Sequence, residues 1–273
     1  MLDVCVSLVN TGEKKEIENA IRTLLADSQN NGLNLGFVIV DNASNDEVES
    51  LARAFSNLKI IKQEENFGFG RSHNRTFTEV KAKYYFVLNP DTEFPIGQNF
   101  LRKLYDFMEA HPKIGMVGPK IIYPDGNLQY SCYRFPSFWQ PIFSRTQWGR
   151  RGRGKEMSDR FLMKDFDHKE TMPVDWVMGS AMMARGQAVD EVGGFDDWFF
   201  MYAEDSDWCR RMWEKGWAVY YVSDVYLKHT HGRASARVHG VISALIKNRY
   251  ARHHLISWLK YFWKWRGNHK YYR

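Results

Sequence analysis

The chain has 273 residues, 44% apolar and 26% charged, with three scattered cysteines (Cys5, Cys132, Cys209); this suits one large or two small globular domains and excludes disordered, collagenous, coiled-coil and disulfide-framework chains. No run approaches the roughly 20 apolar residues that span a bilayer, and Asp3 stands where a signal peptide is basic, so the expected address is cytoplasmic. The formal charge of +6 is uneven: eleven Lys and Arg but no acidic residue follow Asp224, leaving residues 1–224 at −5 (27 basic, 32 acidic). An acidic body with a basic tail directs the tail to an anionic surface, either a membrane face or nucleic acid.

Leu2 to Leu8 reads as a strand, and Ile17, Ala20, Ile21, Leu24 and Leu25 follow at helical spacing. The alternation repeats with a strand over Leu35 to Val40, a helix through Val48, Leu51, Ala52 and Phe55, and a strand over Leu58 to Ile61. A helix around Phe77 and Val80, a strand over Tyr84 to Leu88 and a helix over Phe100 to Met108 complete the series. Apolar strands separated by amphipathic helices predict a parallel sheet covered on both faces, a Rossmann-like half. Past residue 110 the rhythm breaks at Gly115 to Gly118 and at the turn Pro124-Asp125-Gly126, with short strands over Lys120 to Tyr123 and Val174 to Met183. The polar, basic stretch 144–170 reads as a mobile loop or lid.

Ligands of an open parallel sheet bind outside the carboxyl ends of its strands. Asn10 follows the first strand, Asp41-Asn42-Ala43-Ser44 the second, Asn66-Phe67-Gly68-Phe69-Gly70 the third, and Asn89-Pro90-Asp91-Thr92-Glu93 the fourth. Each alone is an ordinary turn or helix cap, but together they predict one polar rim. No GxGxxG follows the first strand, which disfavours a dinucleotide. Asp91 and Glu93, two apart between Pro90 and Pro95, form a DxD-like pair suited to a hard divalent ion that bridges a diphosphate.

These segments, with Val117-Gly118-Pro119, Gly193-Gly194-Phe195-Asp196 and the run Phe199-Phe200-Met201-Tyr202-Ala203-Glu204-Asp205-Ser206-Asp207-Trp208-Cys209-Arg210-Arg211, resemble inverting glycosyltransferases of family 2, specifically the bacterial rhamnosyltransferase-like branch, from about Val4 to about Ser235. The resemblance implies a GT-A fold: a mixed α/β sheet flanked by helices over residues 1–238, with a nucleotide-sugar half at 1–110 and an acceptor half at 111–238. It also implies a nucleoside-diphosphate sugar donor, dTDP-rhamnose first and a UDP-sugar next, and a divalent Mn or Mg ion. Donor contacts then fall to Val9, Asn10, Asp41, Asn42, Ser44, Asn66, Gly68, Asn74 and Asn89. The ion falls to Asp91, Glu93 and His229, the latter within His229-Thr230-His231-Gly232. The first strand ends Leu8-Val9-Asn10-Thr11 where similar enzymes often carry Thr-Tyr-Asn, and Arg71-Ser72-His73-Asn74 replaces a smaller pair, so the base is less determined than the fold.

Inversion requires a general base on the acceptor hydroxyl. Glu204 and Asp205 are the candidate bases: both open a helix, where the dipole also favours carboxylates, and the flanking Trp198 to Tyr202 desolvate a carboxylate and raise its proton affinity; the resemblance favours Asp205, with Glu204 second. Asp175, Trp176 and Gly179 are the expected acceptor contacts, with a buried strand as the equal alternative.

In the segment 239–273, Leu255, Trp258, Leu259 and Phe262 fall at i, i+3, i+4 and i+7, with Lys260, Lys264 and Arg266 mostly off that stripe. Tryptophans interleaved with lysines suit an interfacial helix peripheral on the inner face of the cell membrane, each basic residue contributing about 1 kcal/mol on anionic lipid. The alternative is a helix packed on the domain or on a second copy in a homodimer; nucleic acid ranks third, without a recognisable module. The leading expectation is thus transfer of a sugar to a lipid-linked or cell-surface polysaccharide precursor. A nucleotidyltransferase of similar fold and a non-enzymatic lipid- or nucleic-acid-binding module are the competing readings.

Overall fold

In a computed structural model, residues 1–29, 31–139, 151–230, 248–268 and 270–271 are described. The four apolar runs of the first half become β1 (Leu2–Asn10), β2 (Leu35–Asn42), β3 (Leu58–Gln63) and β4 (Ala82–Leu88). They pair in parallel in the order β3-β2-β1-β4, joined by α1 (Lys14–Asp27), α2 (Glu49–Ala54) and α3 (Phe69–Glu79). Alternation along β1 explains the two covered faces. Val4, Val6 and Leu8 join Ile17, Ile21 and Leu24 of α1 and Phe100 and Leu104 of α4 (Phe100–Ala110), whereas Cys5 and Val9 join Phe77, Trp208 and Met212 on the other side.

The second half extends the same sheet and makes it mixed. After β5 (Thr92–Glu93) and α4 come β6 (Ile114–Ile122), β7 (Leu128–Gln129) and β8 (Cys132–Tyr133). Next are α5 (Gly152–Phe161), β9 (Met172–Pro173), β10 (Trp176–Val177), β11 (Ala181–Arg185), α6 (Gly186–Val192), α7 (Glu204–Glu214), β12 (Ala218–His229) and α8 (Arg249–Lys264). The sheet continues β4-β11-β6-β12-β5, with β11 antiparallel to β4 and β6, and β12 parallel to β6. β8 and β10 pair as a separate small ribbon.

Three expectations change. Gly115 to Gly118 is no break but lies inside the nine-residue β6. A Cβ at Gly115 would lie 2.7 Å from Trp217 Cβ and one at Gly118 2.6 Å from Val177 Cβ, so close packing excludes a side chain there and hides the strand from propensity. The run Val174 to Met183 is cut by a turn at Met178 to Ser180 into β10 and β11, which belong to different sheets. Within the expected lid, 152–161 forms α5, held by Asp159 pairing with both Lys155 and Lys164 and by Phe161 against Tyr133; residues 144–150 lie outside the described residues. The i, i+4 ion pair Lys155–Asp159 supports this helix, a signal that a search for apolar periodicity passes over.

The three cysteines are free and buried, as the composition suggests, and burial pushes the Cys5 and Cys132 thiols up to about 12. No helix among the described residues is long and apolar enough to cross a membrane.

Candidate active site

The rim forms as predicted because β1 and β2 are in register at Asn10 and Asp41. Asn10 donates from Nδ2 to Asp41 Oδ1 (3.1 Å) and Ser44 Oγ (2.7 Å), and its Oδ1 accepts the Glu13 amide (2.9 Å). Buried Asn10 therefore holds the α1 start and the loop after β2 together, with Val9 beside it in the core. Asn42 donates to Asn66 Oδ1 (2.9 Å) and accepts the Phe67 amide (2.9 Å). Gly68 has φ +85°, and a Cβ on it would stand 1.9 Å from Phe200 O, the acceptor of the Phe69 amide. Asn42 and Asn66 thus fix the loop before α3 to the end of β2, and Gly68 with Phe69 docks it onto the loop before α7. Asn74 is turned away from the rim: it donates to Phe195 O (2.8 Å) and accepts the Phe195 amide (2.8 Å), latching α3 to residues 194–197.

At the carboxyl end of β4, Asn89 donates its amide to Ser180 O (2.8 Å) and lies 3.3 Å, through Nδ2, from His229 Nε2. His229 Nε2 is 3.1 Å from Asp91 Oδ1, while Nδ1 meets Gln129 Nε2 at 3.0 Å. Glu93 is not brought to this pair: β5 aligns it with Lys228, its partner at 3.5 Å. Among the described residues no three His, Cys, Asp or Glu side chains converge on one ion, so Asp91 and His229 stand as a two-residue set. His231 lies outside the described residues.

The second acidic pair sits on the opposite side of the Met178 to Ser180 turn. Tyr202 and Ala203 are consecutive left-handed residues (φ 70° and 65°) that swing the chain into α7, a backbone state costing about 1–3 kcal/mol per residue unless surrounding contacts hold it. Phe69 N, donating to Phe200 O at 2.9 Å, and Ser257 Oγ, donating to Met201 O at 2.8 Å, grip this loop from α3 and α8. Asp205 then accepts the Gly179 amide at Oδ2 (3.1 Å) and the Ser206 amide at Oδ1 (2.8 Å). Burial raises Asp205 above the usual aspartate range, partly offset by those two amides. Burial, then the neighbouring Asp205 charge, raises Glu204 further, and its Oε2 is buried without a partner among the described residues. Both carboxyls are thus raised by burial, Glu204 more than Asp205, and only Asp205 is held by backbone amides from outside its own residue.

Of the expected acceptor contacts, only Gly179 touches this pair; a Cβ there would lie 3.4 Å from Asp205 Cβ and 3.3 Å from Phe69 Cε1. Asp175 accepts the Phe135 amide (2.7 Å), and Trp176 stacks on Tyr133 (4.3 Å) while donating to Arg134 O (3.0 Å). Both are engaged in holding the β8–β10 ribbon, the buried-strand alternative.

α8 packs on the domain through Ser257, Tyr261, Lys264 and Trp265. Lys264 Nζ meets Asp196 Oδ2 (2.6 Å) and buried Asp207 (2.8 Å), Trp265 Nε1 donates to Asp207 Oδ1 (2.9 Å), and Arg210 lies over Trp265 (4.2 Å). Trp258 and Phe262 turn toward Phe138 (4.5 and 5.4 Å). The outward stripe is Ile256, Leu259 and Trp263, 48%, 49% and 62% exposed, continued by the exposed Arg249, Arg252 and Arg266. Gln129, Ser180 and Ser257 were not marked by any sequence pattern, and Lys264 was marked only as a basic residue off the apolar stripe, since each acts on a partner at least 56 positions away or through a single backbone atom.

A mixed sheet with this polar rim and paired carboxylates across one turn is the GT-A architecture of nucleotide-sugar transferases. The chain matches the glycosyl transferase family 2 model over residues 3–164 and the glycosyl transferase family group 2 model over residues 86–268. It is 28% identical over 222 residues to the N-acetylglucosaminyl-diphospho-decaprenol L-rhamnosyltransferase of Mycobacterium tuberculosis, covering 73% of this chain and 68% of the relative. It is 25% identical over 236 residues to rhamnosyltransferase WbbL of Escherichia coli K12, covering 83% of each. In fold it is similar to GalNAc-T7 with UDP, GalNAc and Mn2+ (TM-score 0.67, 14% identity, 99% of this chain and 49% of that one). It is similar likewise to the mannosyltransferase PcManGT of Pyrobaculum calidifontis in complex with GDP-Man and Mn2+ (TM-score 0.57, 16% identity, 96% and 70%). The chain spans about half the length of the GalNAc-T7 chain. It belongs to glycosyltransferase family 2, on the rhamnosyltransferase-like side, and is a glycosyltransferase. The nucleotidyltransferase and binding-module readings give way accordingly.

Proposed function

We propose that the protein transfers a sugar with inversion from a nucleoside diphosphate, dTDP-rhamnose first and a UDP-sugar next, to a lipid-linked or cell-surface polysaccharide precursor. The observation that carries this reading is the turn between β10 and β11: Gly179 N binds Asp205 at 3.1 Å while Ser180 O binds Asn89 N at 2.8 Å. One short backbone segment therefore ties a carboxylate suited to a base to the rim segment bearing Asp91.

Asp91 and His229 fit a divalent ion, Mn or Mg, because their facing atoms stand 3.1 Å apart and such ions complete their shell with water and substrate phosphates. When bound, that ion neutralises charge on the departing diphosphate. Asn10, Asp41, Asn42 and Ser44 form the floor on which the nucleoside lies, with Asn66 and Gly68 fixing its edge. Asp205, ionised and fixed by two amides, removes the acceptor hydroxyl proton; protonated Glu204 keeps a second negative charge from the same pocket.

The outward stripe of α8, apolar at its centre and basic at both ends, supports peripheral docking on an anionic membrane face, where a lipid-linked acceptor resides. A second copy of the chain is the competing occupant. The decisive experiment is a thermal-shift screen of nucleoside-diphosphate sugars with and without Mn2+, followed by transfer assays of Asp205→Asn. Donor stabilisation should be retained in that variant while transfer falls by about 10³ or more; transfer at the normal rate would assign the base elsewhere.

A further inference from the structure

A bend in the chain sets where Asp205 stands. The approach runs through Phe200, Met201, Tyr202 and Ala203, of which the last two are left-handed in succession (φ 70° and 65°). Neither is the glycine that this backbone region favours, so contacts from elsewhere must hold the bend. On its far side Ala203 O belongs to α7, accepting the Asp207 amide (2.9 Å) and the Ser206 hydroxyl (3.1 Å). On its near side three residues of α8 grip three consecutive residues of the loop. His253 stacks on the Phe200 ring (4.7 Å), Ser257 Oγ donates to Met201 O (2.8 Å), and His254 meets the Tyr202 ring edge-on (4.9 Å). Ser257 is 2% exposed, so little water competes for its bond.

The same face of α8 continues onto α7. Residues 253, 257, 261 and 264 recur at i, i+4, i+8 and i+11, one side of a helix. Tyr261 Oη accepts from Arg210 Nη1 (3.4 Å), and Lys264 Nζ meets Asp207 (2.8 Å). α8 therefore touches the chain before and after the left-handed pair and braces the angle between the two. Asp205 lies inside the braced span, with its Oδ2 on the Gly179 amide (3.1 Å). A reacting group displaced by about 1 Å can lose about 10²-fold in rate, so a brace on this bend bears on turnover as well as on stability. Of the three loop contacts, the Ser257 hydrogen bond is the directional one. We infer that Ser257 is a positioning residue for transfer: by holding Met201 O it fixes the bend that aims Asp205 at the Met178 to Ser180 turn. The inference rests on the reading of Asp205 as the base.

The Gly179 amide is the reporter, because its bond to Asp205 forms only while the bend holds. Hydrogen exchange of single amides, followed by NMR on the full chain, should find Gly179 exchanging about tenfold faster in Ser257→Ala than in wild type. Phe100, whose amide Asp27 Oδ2 accepts (2.6 Å) on the other face of the sheet, should exchange as in wild type. Asp205→Ala should speed Gly179 exchange at least as much, and adding Ser257→Ala to it should change the rate no further. Ser257→Thr keeps the hydroxyl and should restore the protection. With dTDP-rhamnose as donor, Ser257→Ala should lower kcat by about tenfold to a hundredfold and leave the donor KM within twofold. The inference is overturned by Gly179 exchange within twofold of wild type in Ser257→Ala, by faster exchange that Phe100 shares equally, or by effects of Ser257→Ala and Asp205→Ala that multiply. If Ser257→Ala does not fold, His253→Ala, which removes the stack on Phe200, puts the same amides to the same test. Asp205→Asn transferring at the normal rate would instead remove the base, whatever Gly179 does, and the positioning role with it.

Discussion

Replacing Lys264 by Met asks whether α8 is a detachable appendage or part of the catalytic body. Lys264 Nζ meets Asp196 Oδ2 at 2.6 Å and Asp207 at 2.8 Å, and the Asp207 side chain is 0% exposed. Stripping one partner from a fully buried ion pair costs about 3–5 kcal/mol. Here the cost is smaller, because Asp207 keeps Arg211 Nε (2.9 Å) and Trp265 Nε1 (2.9 Å), and Asp196 is partly exposed and rehydrates. About 2 kcal/mol remains, which for a domain of this size lowers Tm by about 4–8 °C. Lys260, whose amine among the described residues donates to Trp198 O in an exposed bond, is the control, and Lys260→Met should cost less than about 1 kcal/mol. Burial pushes the Asp196 carboxyl up, but hydrogen bonds from Lys264 and the Trp198 amide outweigh it and hold the group below the usual range. A carboxyl depressed by folding contributes stability above its unfolded pKa and loses it as pH falls through the folded value. The gap between wild type and Lys264→Met should therefore narrow on acidification. Thermal unfolding by circular dichroism at neutral and acidic pH measures both effects. A Lys264→Met protein within 2 °C of wild type at neutral pH would show that α8 contributes nothing to the domain, and the whole account of its inner face would fail.

Gly68→Ala should destabilise by about 3 kcal/mol or more, since φ is +85° and the new Cβ would displace Phe200 O at 1.9 Å; chemical denaturation with an unchanged midpoint would contradict this account of the loop. With Asp205 as the proposed base, Glu204→Gln should leave the acid limb of kcat/KM where wild type has it, because burial raises Glu204 further than Asp205. A raised folded pKa costs stability as pH rises above the unfolded carboxyl range, so the same variant should exceed wild type in Tm at pH 8 and match it near pH 4. A shifted acid limb would reverse the two carboxyl roles. Ile256→Ser with Trp263→Ser should release the protein from anionic vesicles without changing transfer to a soluble acceptor; continued co-sedimentation would refute the outward stripe as the lipid face.

Periodicity sufficed for the parallel half of the sheet, for the rim residues at its strand ends and for the helix at the C-terminus, because burial of one face writes a local repeat into the chain. The same reading singled out Asp205, Glu204 and Asp91 as candidates by type and position, whereas His229 and the expected roles came from the resemblance alone. It did not separate Glu93 from Asp91, since two residues apart in an extended segment share a side only until a neighbouring strand claims one of them, as Lys228 does Glu93. Nor did it show that Trp176 stacks on Tyr133 and that half-buried Asp175 accepts the Phe135 amide, since the partners of a tryptophan or a carboxylate are not written in one dimension. Nor did any pattern mark Gln129 behind His229, or α8 behind the loop that leads into α7. Those pairings join residues 100 and 56 positions apart, and no local repeat encodes which distant side chain a hydrogen bond selects. Composition and spacing determined the architecture and the chemical inventory of the rim; only packing in three dimensions decided which of those groups face each other, because desolvation and hydrogen-bond geometry act through space and not along the chain.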